Sequence, residues 1–104
     1  MKIAIAADTA DADASISIHA ARAPCYLVFT DDGTLVDTIM NPHTNAERGA
    51  APRAAQLLME HDVEMLVAGD FGERFIDVLR DHNISTVVAQ GTASRAIQEV
   101  VNHS

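Results

Sequence analysis

The chain is poor in cysteine, aromatic residues, basic charge and long apolar runs. A single cysteine, Cys25, in 104 residues excludes an internal disulfide and a four-cysteine zinc site. Tryptophan is absent and aromatics make up 4%. The core must therefore come from Ile, Leu, Val and Met, with helices approaching closely over the abundant alanines. Seven basic residues stand against 15 acidic ones, a formal net charge of −8. A surface that acidic repels phosphate backbones and anionic membranes, which argues against nucleic acid or membrane partners. No apolar run approaches the roughly 20 residues that a spanning helix needs. The stretch Ile3 to Ala7 is cut off by Asp8 too soon for a signal peptide. Together these features predict a cytoplasmic protein.

What is present fits one domain over residues 1–104, with an apolar fraction of 48% that suffices for a real core. Met1 to Ala7 reads as a buried strand, and Asp8 to Ser15 as a polar loop. Cys25 to Thr30 and Leu35 to Met40 read as two strands of a hairpin, joined at Asp31-Asp32-Gly33. Asn41 to Gly49 is a second polar loop. Ala50 to His61 then has helical spacing, with Ala51, Ala54, Ala55 and Leu58 on one stripe and Pro52 in the first turn. Met65 to Ala68 predicts a strand, Gly69 to Gly72 a tight turn, and Glu73 to Asp81 a helix burying Phe75, Ile76 and Leu79. Thr86 to Ala89 predicts the last strand. Gly91 and Thr92 open a final helix burying Ala93, Ile97, Val100 and Val101. Alternating strands and helices imply parallel strands with right-handed crossovers, to which the hairpin adds antiparallel ones. The expected fold class is α/β: three layers, a mixed sheet of about five strands, helices packed on its faces.

The segment His19-Ala20-Ala21-Arg22-Ala23-Pro24 resembles the His-Phe-Gly-Arg-Ala-Pro element of the dinitrogenase iron–molybdenum cofactor-binding family. Ala20-Ala21 stands where that family has Phe-Gly. Met1 to Ile5 resembles the family's first strand, and Asn41-Pro42-His43 with Gly49 its loop and the start of its helix. Val67-Ala68-Gly69-Asp70-Phe71-Gly72 resembles its Ala-Gly-Gly-x-Gly turn, with Asp70 in place of the second glycine. Gly91-Thr92 followed by Arg95-Ala96-Ile97 resembles the start of its last helix. The resemblance covers essentially the whole chain. It implies a ribonuclease H-like fold and no enzymatic activity. It further implies binding of a preassembled metal–sulfur cluster, of iron–molybdenum or molybdenum–copper type. The partner would be a cluster donor or acceptor protein, and the chain itself a monomer or homodimer.

The chemistry of the residues agrees. Imidazole suits Fe, Cu, Zn and Ni. A cluster wrapped in sulfide needs few protein ligands: one or two histidines, a guanidinium and backbone N–H donors. The expected cofactor-binding set is His19, Arg22, His43, Gly69, Asp70, Gly72, Gly91 and Thr92, with His19 and His43 as the metal ligands. The glycines stand where strands turn into helices, so helix N-termini would add positive potential there. Each residue also has an ordinary structural reading. His19 alone is as well explained as a surface loop residue, and His43 as a turn residue after Asn-Pro. His61 and His82 lie near helix C-termini, and His103 in the tail. Cys25 fits a small buried hydrophobe. Two rival functions remain at this stage. One is a protein-interaction scaffold without metal. The other is a Mg-dependent ribonuclease H-like nuclease using Asp8 and Asp70, which the acidity of the chain disfavours.

Overall fold

The structure is a computed structural model and describes residues 1–11, 13–45 and 48–102. Its elements are β1 (Lys2–Ala7), β2 (Cys25–Thr30), β3 (Leu35–Met40), α1 (Ala50–Glu60), β4 (Val63–Ala68), α2 (Glu73–Asp81), β5 (Ser85–Val88) and α3 (Ala93–Asn102). They form one mixed sheet in the order β3-β2-β1-β4-β5. The β1/β4 and β4/β5 pairs are parallel, and β1/β2 and β2/β3 are antiparallel. This is the three-layer α/β arrangement expected from the sequence.

Alternation along the strands sorts the core into two halves. Ala4, Ala6, Tyr26, Val28, Leu66 and Ala68 face α1 and α2, where they meet Ala54, Ala55, Leu58, Phe75 and Leu79. Ile3, Ile5, Ala7, Cys25, Leu27, Phe29 and Val67 face the opposite way, toward Ala93, Ala96 and Ile97 of α3. Both faces of the central strands are covered, which is why β1, β2 and β4 read as nearly continuous apolar runs. Alanine lets α1 lie close on the sheet: Ala54 and Ala55 are fully buried.

Several boundaries and burials differ from the sequence reading. β4 begins at Val63 because the helix before it ends abruptly. His61 caps α1, Asp62 turns at φ 60°, and Val63 pairs at once with Lys2. β5 runs one residue earlier than expected. The buried face of α1 includes Ala50, and Ala51 is only half-buried. Ile76, Val100 and Val101 are half-buried as well, each at the margin of a helix face. His82 caps α2 as His61 caps α1. His103 lies outside the described residues.

Two neighbouring buried side chains link the core to alkaline pH. Burial, and secondarily the Asp8 carboxylate, push the Cys25 thiol up. Burial, with a smaller contribution from Cys25, holds the Tyr26 hydroxyl far above the usual phenol range. Both stay neutral in the fold, while the unfolded chain ionises a thiol near about 8.5 and a phenol near about 10. The unfolded state therefore gains stability as pH rises and the fold does not. Stability is expected to be intact below the thiol range and to fall as pH climbs through both values. Urea midpoints measured against pH check this, and a Tyr26→Phe variant should lose the second, higher part of the decline.

Candidate functional site

The sheet register gathers the loops that matter on one edge. Ala7 pairs with Cys25, and Cys25 with Met40. The segment after β1, the residues before β2 and Asn41 after β3 therefore emerge together. β4 is parallel to β1 and delivers Gly69 to the same edge. Open α/β sheets bind ligands at such an edge.

The segment 19–24 carries His19 and Arg22 and is tied down at successive carbonyls. The Tyr26 hydroxyl donates to the Ala20 carbonyl at 2.5 Å. The Asn41 amide donates to Ala21 O at 3.2 Å and Ala23 O at 3.0 Å, and the Asn41 backbone N–H to Pro24 O at 3.0 Å. Arg22 Nη1 donates to Thr44 O at 3.2 Å, joining this segment to the polar loop after β3. Just upstream, Ser17 N–H donates to Ala6 O and the Ser17 carbonyl accepts from Gly69 N–H, both at 2.8 Å. His19 N–H donates to Ser17 Oγ at 3.1 Å. The His19 ring itself is exposed on this fixed backbone. Ala21 is not among the residues with positive φ, so alanine replaces the glycine of the resembling motif without strain.

Gly69 is favoured by close approach. A Cβ there would meet Ile18 Cα at 3.1 Å and Ser17 O at 3.2 Å, both backbone atoms. Its N–H is spent on Ser17, which corrects the expectation of a free donor at this position. The next candidate donors lie in the first turn of α2, whose N-cap Gly72 offers no side-chain cap.

His19, Arg22, Asp70 and Gly72 line one depression of about 200 Å³, together with Ile18, Ala20 and Ala21. A larger depression of about 620 Å³ adjoins it and shares Ala21, Arg22 and Gly72 as a common wall. Its other walls include Arg48, Gly49, Arg74 and Phe75. His43 is placed elsewhere, in a depression with Arg53, Gln56, Leu57 and Glu60. Its backbone N–H donates to Asn41 Oδ1 at 2.9 Å. Gly91 and Thr92 line neither of the two adjoining depressions. Gly91, at φ 102°, presents its carbonyl to Ile16 N–H, and Thr92 bridges Ser15. The Ala93 N–H at the start of α3 donates to Ala14 O. That helix terminus is closed by the chain itself.

Among the described residues, no group of three or more His, Cys, Asp or Glu side chains is arranged to hold a metal ion. A bare divalent ion needs three or four such ligands. A cluster carrying its own sulfide does fit one exposed imidazole beside a guanidinium and uncapped N–H groups.

The model of the dinitrogenase iron–molybdenum cofactor family matches residues 1–103. The chain belongs to this family. No curated protein matches it significantly. Among solved structures, the apo orange protein of Desulfovibrio gigas is 21% identical, with a TM-score of 0.91 over 98% of this chain and 88% of that one. A NifB-assigned protein of the DUF35 family from Thermotoga is 24% identical, with a TM-score of 0.82 over 97% and 87% of the two chains. At these identities the likeness establishes a shared fold.

The sequence reading of this family member missed Asn41, Arg48 and Arg74. Asn41 is a buried strut, and the only signal for it was an Asn before Pro, which reads equally well as a turn. Arg48 and Arg74 belong to no motif, and only the folded topology brings them beside Arg22.

Proposed function

We propose that this chain is a carrier of a preassembled anionic metal–sulfur cluster, with no catalytic role. The supporting observation is the His19 depression. It offers an exposed imidazole and the Arg22 guanidinium on a backbone tied at successive carbonyls, in a chain of this family. The reading takes the cluster to be of iron–molybdenum or molybdenum–copper sulfide type. His19 ligates a metal, Arg22 and the first turn of α2 offset its charge, and Gly69 keeps the backbone of residues 17–18 in place. His43, in its separate depression, is left out of this ligand set.

The strand order, with β2 antiparallel to β1 and β1 beside β4, supports a ribonuclease H-like classification. No helix among the described residues is long and apolar enough to cross a membrane. A single, buried, unpaired cysteine suits the reducing cytoplasm, where a cluster donor or acceptor protein would be the partner.

The test is anaerobic reconstitution of the apo-protein with iron–molybdenum and molybdenum–copper sulfide clusters, followed by visible absorption and metal content per chain. Wild type is expected to retain cluster, and His19→Ala to lose most of it with an unchanged melting temperature. His61→Ala should retain as wild type does, since that ring is engaged with the Leu57 carbonyl at 2.8 Å. Retention should fall on acidification, because only the neutral imidazole coordinates metal. Equal retention by wild type and His19→Ala would remove the ligand assignment. No retention by either would remove the carrier reading.

A further inference from the structure

We infer that Arg22, Arg48 and Arg74 form an anion seat that captures the cargo by charge beside His19, and that this seat prefers a soft, sulfide-covered polyanion to an oxyanion of equal charge. The inference rests on the carrier reading and deepens it by naming the feature of the cargo that is recognised.

The distribution of charge carries the argument. The chain has only seven basic side chains against 15 acidic ones. Three of those seven line a single depression of about 620 Å³, and none of its described lining residues is acidic. The three arrive from unrelated places: Arg22 from the loop before β2, Arg48 from the residues ahead of α1, and Arg74 from the first turn of α2. Both helices begin at this depression, at Gly49 and Gly72, and neither N-cap makes a side-chain hydrogen bond to its helix. First-turn N–H groups thus add their partial positive charge to that of the guanidiniums. Arg22 Nη1 is held by the Thr44 carbonyl, which fixes its guanidinium at this depression.

The uncharged part of the lining decides between kinds of anion. Ala21, Ala50, Ala51, Pro52 and Phe75 offer no side-chain donors to replace lost water. An anion gets nothing back from these side chains for the water it sheds against them, and a strongly hydrated oxyanion loses more by that than a weakly hydrated one. A sulfide-covered anion is larger and holds water less tightly, and guanidinium is the more weakly hydrated of the two basic head groups. Asp70 lines only the narrower His19 side, where its carboxylate opposes negative charge. The favourable potential therefore lies on the arginine side, with Arg22 and Gly72 forming the shared wall to the imidazole.

Tetrathiomolybdate and molybdate are tetrahedral dianions of the same charge, and titrating the apo-protein with each tests the seat. Tetrathiomolybdate is expected to bind roughly tenfold or more tightly than molybdate, and less tightly as salt rises. The double variant Arg48→Gln/Arg74→Gln should lose roughly tenfold or more in tetrathiomolybdate affinity. Arg48→Lys/Arg74→Lys should recover part of it, and Arg80→Gln/Arg95→Gln, outside the depression, should lose none. Thermal melting confirms that each variant is folded. His19→Ala should still capture the thio-anion while failing to retain a full cluster. Unchanged affinity in the folded Arg48→Gln/Arg74→Gln variant, or molybdate binding as tightly as tetrathiomolybdate, would overturn the seat and leave cluster retention by wild type standing. Arginine-dependent capture without any cluster retention would sustain the seat and end the carrier reading.

Discussion

Replacing Asn41 with alanine is expected to lower the unfolding free energy by about 2–4 kcal/mol, at about 1–3 kcal/mol for each buried polar group left without a partner. Asn41 is only 7% exposed. Its amide donates to the Ala21 and Ala23 carbonyls and its Oδ1 accepts from His43 N–H. Ala23 is fully buried, so water cannot readily replace the lost donor. The damage falls on the segment that presents His19 and Arg22, and cluster retention should drop along with stability. Asn41→Asp separates the roles. It keeps the acceptor for His43 but turns a carboxylate toward two carbonyls, and it should be at least as destabilising as alanine. Urea unfolding of the three proteins, with linear extrapolation to water, measures the difference. A loss under 1 kcal/mol for Asn41→Ala would show that the segment holds its shape without the strut.

Leu66→Ala is expected to cost more, about 3–5 kcal/mol, the upper part of the range for leucine truncation in a packed core. Leu66 lies in β4, is 0% exposed, and belongs to the cluster shared with Ala54, Ala55 and Leu58. Alanine neighbours have no side-chain rotamers with which to collapse into the vacated space, so most of the cavity should persist. Set against a total stability of about 5–15 kcal/mol for a typical domain, that loss leaves the protein marginal at 25 °C. Leu66→Met keeps the volume and should lose under about 1.5 kcal/mol. Denaturant melts of both variants give the comparison, and similar losses for Ala and Met would mean that the site relaxes freely.

The strands were legible because central strands buried on both faces leave an unbroken apolar signature, as in Lys2–Ala7 and Cys25–Thr30. The hairpin was legible because Asp31-Asp32-Gly33 supplies the turn chemistry, with Gly33 at φ 88° and Asp32 accepting from Thr34 N–H. The start of β4 was less so. Asp62 adopts the left-handed conformation usually given to glycine, and a sequence reading places no sharp stop there. The site divided in the same way. His19 and Arg22 share one short segment that stood out by its resemblance to the family motif, and they line one depression. The separation of His43 depends on how Asn41 folds the chain back on itself. The grouping of Arg22 with Arg48 and Arg74 depends on two helices starting side by side. Neither leaves a mark in residue spacing.

The segment from Ala14 to Ser17 has a kinetic meaning. Its backbone bonds reach Ala6 in the first strand, Gly69 after the fourth, and Gly91 and Ala93 at the last helix. Those partners are distant in sequence and adjacent only once the sheet and α3 have docked. Bonds of this kind are expected to close after the main folding barrier, when loop-closure entropy has already been spent on the strands. Substitutions in the segment should therefore leave the refolding rate nearly unchanged and appear in the unfolding rate, as expected at low-φ positions. The edge that carries His19 and Arg22 is then expected to be set late, on a sheet that has already formed without it.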